Sequence, residues 1–173
     1  MTMNKIVLAL GTLLAACSGS AVPTAVAPAP AAALCDGGTV RSDAELERFA
    51  HCTAIAGDLD VSGVTGMQPL EHVRTVYGTL GIHGTERLYT LSGLENLRRV
   101  NGLRIEQNRG LISIASLKAL THAKTVSIVA NPRLSRSGGS LDGLTRVAGE
   151  VTLTDNVGLR AEGVAIGSQG TIL

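Results

Sequence analysis

The sequence predicts an all-β solenoid of about five turns, closed at its front by a short capping helix. Three observations carry that expectation. A short motif recurs: Cys52-Thr-Ala-Ile-Ala-Gly-Asp-Leu-Asp-Val61 is echoed at Val76–Ile82, Val100–Ile105, Thr125–Ile128 and Val147–Leu153. Its last apolar residues, Val61, Ile82, Ile105, Ile128 and Leu153, fall about 21 to 25 residues apart, the period of solenoid repeats. Within each copy the apolar spacing is two, and after it the spacing becomes three. Strands joined by long connections at this interval pair in parallel, copy upon copy.

The composition suits such a build. Phe49, Tyr77 and Tyr89 are the aromatic residues of the chain, so the core must come from Leu, Ile, Val and Ala. Those side chains stack in rows more readily than they fill a deep globular centre. Glycine is abundant, with 21 residues, as a chain that turns often requires. The net charge of +1 lacks the electrostatic footprint of a nucleic-acid binder.

Lys5 precedes the apolar run Ile6–Leu14, which is too short to cross a bilayer as a permanent helix. Leu14-Ala-Ala-Cys17 follows. It resembles the lipobox of a bacterial lipoprotein signal. The resemblance implies that residues 1–16 are a signal peptide removed before Cys17. Cys17 would then carry lipid on its thiol and its new amino group. Several acyl chains, at about 0.8 kcal/mol per buried methylene, hold a protein firmly to a bilayer, where one chain binds reversibly. Ser18 after the cysteine favours, by the same analogy, the outer membrane. The chain is thus expected to be exported, lipid-anchored, and periplasmic or surface-facing.

Residues 17–34 form the lipidated cysteine and an Ala/Pro-rich linker. Pro23, Pro28 and Pro30 oppose a packed helix there. An extended spacer of this kind, at roughly 3.1 Å per residue, would hold a domain on the order of 50 Å from the lipid.

The folded domain is expected over residues 35–160. Ser42-Asp-Ala-Glu45 has the capping-box pattern, and Ala44, Leu46, Phe49 and Ala50 give an apolar face behind it. A helix over Asp43–His51 follows. Cys35 and Cys52 bracket it, and in an oxidising, exported setting they would pair. Such a bridge stabilises by about 3 kcal/mol in the chain-entropy model.

The strand pairs Leu59/Val61, Leu80/Ile82, Leu103/Ile105, Val126/Ile128 and Val151/Leu153 point inward. Triplet runs then lead away, as in Ile82, Thr85, Leu88, Leu91 and Leu94. Asn108, Asn131 and Asn156 share one position in these runs. A buried Asn at a bend can satisfy backbone groups that no strand reaches, and stacked copies can bond to one another. Surface turn asparagines are the plainer alternative, and the shared register favours the ladder. Val64 and Thr85 hold the same position in the earlier copies and are expected to break the column. Residues 161–173 are a weakly patterned tail.

Cys35 to Leu159 resembles the receptor L-domain, the leucine-rich module of insulin and epidermal growth factor receptor ectodomains. The resemblance rests on the Cys-bounded helical preface, the Cys52-Thr53-x-Ile55-x-Gly57-Asp58-Leu59-x-Val61 opening, and the Leu91-x-x-Leu94-x-x-Leu97-x-x-Val100-x-Gly102 link. It implies a right-handed parallel β-helix whose N-terminal helix is held by a disulfide. Growth-factor receptors place two such domains around a ligand, and this chain shows one, so receptor signalling does not carry over.

No enzyme signature emerges. The chain has no Gly-x-Ser-x-Gly elbow, dinucleotide fingerprint or phosphate loop. His51, His72, His83 and His122 lack metal-ligand spacing. No cofactor or metal is expected. Asp58 and Asp60 are the paired acids of a strand, but Gly81, Arg104, Ser127 and Thr152 in the matching row give no acid–base pair.

The outward rows are the candidate binding face: Asp60, Arg104 and Ser127 in one, His83 and Glu106 in the next. A plain solvated surface is the alternative. Small, mixed, aligned residues on a flat sheet are what solenoids offer to partners. The expected function is a non-enzymatic, lipid-anchored envelope protein that recognises an envelope protein or glycan, and no nucleic acid. A purely structural envelope lipoprotein and a β-helical carbohydrate-active enzyme are the alternatives.

Overall fold

The structure, a computed structural model, describes residues 33–134, 141 and 144–156. The signal segment, Cys17, nearly all of the linker and the tail 161–173 lie outside the described residues. The described chain is mostly β, with one short α-helix.

Eight strands form one parallel sheet: β1 (Leu34–Val40), β2 (Ala54–Val61), β3 (Thr75–His83), β4 (Arg99–Glu106), β5 (His122–Ala123), β6 (Thr125–Val129), β7 (Arg146–Val147) and β8 (Val151–Thr154). Each repeat pairs with the next. Val61 lies against Ile82, Ile82 against Ile105, Ile105 against Ile128 and Ile128 against Leu153. That register is the one the recurring motif predicts. The pleat sends Leu59, Val61, Leu80, Ile82, Leu103, Ile105, Val126 and Ile128 into the core, where they are fully buried or nearly so.

The triplet runs are buried at every third residue as expected. Met67, Leu70 and Val73 follow β2, and Leu88, Leu91, Leu94 and Leu97 follow β3. Leu111, Ile114, Leu117 and Leu120 follow β4. Short 3-10 turns at Gln68–Leu70 and Ala115–Ala119 fit this spacing, because residues three apart share a face in that geometry. Full burial contributes roughly 1.5–3 kcal/mol for each such side chain. These rows therefore outweigh any single polar contact.

The front of the domain departs from expectation in two ways. A first strand, β1, pairs in parallel with β2 and begins at Leu34, inside the residues read as linker. The helix is also shorter. α1 (Asp43–Leu46) passes into a 3-10 turn at Glu47–Phe49 rather than continuing to His51. The tighter winding brings Leu46, Phe49 and Cys52, three residues apart, into the core together. Ser42 caps α1 by accepting from the Glu45 backbone N–H at 3.3 Å. The Glu45 carboxylate reaches the N–H of Arg41, one residue before the cap, at 2.7 Å. A disulfide joins Cys35 of β1 to Cys52, with Cα atoms 5.8 Å apart.

Asn108, Asn131 and Asn156 lie one above another, the first two buried. Each donates to a strand carbonyl of the preceding repeat: Asn108 to Ile82, Asn131 to Ile105 and Asn156 to Ile128. Each side-chain oxygen accepts the backbone N–H of the residue at the same position one repeat earlier. Thr85 does not break this column. It is buried and heads it, and both its N–H and its hydroxyl donate to Asn108. Val64 stands in the same position with an apolar side chain, buried in the core.

Strands β2, β3, β4, β6 and β8 turn out of the sheet through a left-handed residue just before that column. These are Gly63 (φ 63°), Gly84 (62°), Gln107 (57°), Ala130 (56°) and Asp155 (59°). The later repeats bear this conformation without glycine, at a cost of about 1–2 kcal/mol per residue. The column of asparagine bonds holds the corner there.

Candidate functional site

The outer face of the sheet gathers all five predicted face residues. β2 supplies Asp60, β3 His83, β4 Arg104 and Glu106, and β6 Ser127. Alternation directs them outward because Leu59, Val61, Leu103, Ile105 and Ile128 are committed to the core. Register then aligns Asp60, Gly81, Arg104, Ser127 and Thr152 in one row. His83, Glu106, Val129 and Thr154 form the next.

These side chains interlock across strands. Arg104 and Glu106 are two apart on one strand and so share its outer side. Their contact is bidentate, with Nε to Oε1 at 3.2 Å and the second guanidinium nitrogen to Oε2 at 2.9 Å. Ser127 donates to Glu106 Oε1 at 3.0 Å. His83 Nε2 stands 3.1 Å from Asp60 Oδ1, both side chains about half exposed. The hydrogen-bonded Arg104 guanidinium, helped by Ser127, holds the Glu106 carboxyl below the usual carboxylate range, against a smaller opposing effect of burial. Glu106 in turn holds the Arg104 guanidinium charged.

Gly81 makes the face concave. It sits in the Asp60–Arg104 row without a side chain, and a Cβ there would press on Asp60 Oδ1. The hollow that results has a volume of about 210 Å³ and is walled by Asp60, His83, Arg104, Glu106 and Gln107. It presents two carboxylates, a guanidinium and an imidazole toward solvent. That is a set for directional, charge-assisted hydrogen bonding. Within it, Glu106 is tied to Arg104 and Ser127 in its ionised form.

A larger furrow, about 700 Å³, runs along the neighbouring corner past Gly84, Gln107, Ala130 and Asp155, and is lined also by Glu86, Arg109 and Pro132. Gln107 borders both hollows. Sequence reasoning missed this furrow because its floor is the left-handed column, which no residue type marks in the later repeats. Gly63 and Gly84, each the residue just before the column position, were the available signal.

The asparagine column is structural in its contacts, being bonded to backbone and to itself. Among the described residues, no helix is long and apolar enough to cross a membrane.

Compared with known proteins, residues 51–143 match the receptor L domain family. No curated protein matches the chain, and no solved structure does. The matched span holds β2 to β6, all five face residues, and more than half of the 173 residues. The chain belongs to the receptor L domain family.

Proposed function

We propose that this protein is a lipid-anchored cell-envelope recognition module, non-enzymatic, displaying one L-domain whose outer face binds a protein or glycan of the envelope. The observation that carries the reading is the hollow at Gly81. Asp60, His83, Arg104 and Glu106 converge there from three strands, charged or polar and open to solvent. Membership of a family of ligand-binding domains supports it.

The parallel sheet is, in this reading, one wall of a right-handed β-helix of about five turns. Its support is the burial of one residue in three between strands, together with copy-on-copy pairing. Lipid on Cys17 and the Ala/Pro-rich spacer would hold the domain away from an exporting membrane, the outer membrane being favoured by Ser18. Support for this part is the Leu14–Cys17 motif behind a short apolar run.

The anchor is tested by metabolic labelling with a palmitate analogue: label should enter the protein and be lost in Cys17→Ala. Recognition is tested by a glycan array and by crosslinking of the lipidated protein in whole envelopes. A saturable ligand supports the module. Its absence in both would favour a purely structural envelope lipoprotein.

A further inference from the structure

We infer that the sheet carries a second binding surface, a basic strip at the starting end of its strands that takes an acidic polysaccharide, a chain bearing a carboxylate on each repeating unit. Register builds the strip. Thr75, Arg99, His122 and Arg146 form one row across β3, β4, β5 and β7. The residues just before them stack in the same order, with the Arg98 N–H donating to the Arg74 carbonyl and the Thr121 N–H to that of Arg98. Val76, Val100, Ala123 and Val147 are buried, so the residues on either side of them turn outward. Tyr77, Asn101 and Lys124 therefore share the side of Thr75, Arg99 and His122.

Five cations meet there: Arg74, Arg98, Arg99, Lys124 and Arg146, all exposed. No Asp or Glu stands in these rows on β3, β4, β5 or β7. Among the described residues, the ion pairs are His72–Glu71, His83–Asp60 and Arg104–Glu106, and none of them neutralises the strip. Two further acids near it in sequence are engaged elsewhere. Glu95 accepts the Gly93 N–H at 2.7 Å, and Glu150 the Thr152 hydroxyl at 3.2 Å. The net charge of +1 thus conceals a local excess. Like charges on adjacent strands destabilise a sheet, and an anion lying across them relieves that repulsion.

Four of the five cations are arginines, whose planar forks bind carboxylates bidentately. Neighbouring strands lie about 4.8 Å apart, so the strip runs roughly 14 Å from Arg74 to Arg146. Neither the hollow at Gly81 nor the corner furrow includes any of these residues. A flat, elongated run of cations fits an extended polymer with regularly placed acids better than one small anion. Tyr77, 57% exposed, adds a flat apolar face beside it for a sugar ring. Attraction to lipid headgroups fades within about 8 Å at physiological salt, whereas the spacer reaches on the order of 50 Å. That choice of glycan over bilayer rests on the anchored reading; the strip itself does not.

The test uses the full chain carrying Cys17→Ala, with fluorescently labelled polygalacturonate as the probe and neutral dextran beside it. Polygalacturonate should bind and dextran should not, and binding should weaken steeply between about 50 and 200 mM salt. Arg99→Ala/Arg146→Ala should cut affinity roughly tenfold or more, with the melting temperature held or raised. Replacing the exposed Arg87, outside the strip, by alanine should leave binding unchanged. So should Arg104→Ala/Glu106→Ala, which separates a failure of this surface from a failure of the hollow. Equal binding of dextran, undiminished binding by Arg99→Ala/Arg146→Ala, or an equal loss in either control variant would each overturn the assignment. Tighter binding to vesicles of anionic phospholipid or to a DNA oligomer than to polygalacturonate would do the same.

Discussion

Asn108 accepts two hydrogen bonds from Thr85 at a single oxygen: the backbone N–H at 3.1 Å and the hydroxyl at 2.7 Å. Both residues are buried, and they belong to successive repeats. A threonine thus completes a column otherwise built of asparagine, because its hydroxyl reaches the same acceptor.

Asn131, at the middle of the column, is the residue whose loss should cost most. Its side-chain oxygen accepts the Asn108 N–H, and its amide donates to the Ile105 carbonyl. Asn131→Ala is expected to destabilise by about 2–4 kcal/mol, from the Asn108 N–H left unmet, the other side-chain bonds lost and the space left behind. Thr85→Val keeps the backbone bond and loses only the hydroxyl, so about 1 kcal/mol is expected. Urea denaturation of the two variants beside the parent checks the ranking.

Two glycines with left-handed backbones should respond very differently to alanine. Gly93 has φ 113°, and a Cβ there would collide with the carbonyl group of Met67. Gly93→Ala should cost on the order of 3 kcal/mol or more, from strain and overpacking together. Gly84 has φ 62° with open space around it. Gly84→Ala should cost only about 1 kcal/mol, the ordinary penalty of that conformation. Thermal melts of the pair measure the difference.

Asp43 links the helix to the connection after β2. Its two oxygens accept from the N–H and the hydroxyl of Thr65, each at 2.8 Å. The backbone bond from Thr65 is the largest influence, and the carboxyl is held below its ordinary value of 3.8. A depressed folded value means that the unfolded chain takes up the proton first. The stabilisation is complete above the ordinary carboxylate range and is lost as pH falls through the folded value. Glu106 acts in the same sense through Arg104. Asp43 is exposed, so solvent screening keeps its share modest. On acidification from about pH 5, Asp43→Asn should lose stability less steeply than the parent. Identical acid slopes would remove Asp43 from the account.

The inward rows were legible because burial imposes two periodicities that no other fold explains jointly. Leu59/Val61 and their copies alternate, and Leu88, Leu91, Leu94 and Leu97 recur at three. The parallel register followed from those rows. β1 was hidden because Asp36-Gly37-Gly38 interrupts any alternation, and its pairing with β2 shifts register between Asp36 and Gly38. The helix was read too long because a capping box marks where a helix starts, and the requirement that Phe49 and Cys52 share a buried side ended it early. The face residues could be placed in rows from register alone. Their contacts could not, since the pairing of Arg104 with Glu106 and of His83 with Asp60 depends on rotamers and on the gap at Gly81.

The proposal that the outer face binds a ligand is tested most directly by Arg104→Ala/Glu106→Ala in the full lipidated chain. The measurement is crosslinked or array-bound ligand beside the melting temperature. An ion pair this exposed contributes at most about 1 kcal/mol, so the melting temperature should move by only a few degrees. Loss of two charge-assisted contacts should cut binding by roughly tenfold or more. Undiminished binding by the double variant would contradict the assignment of this face.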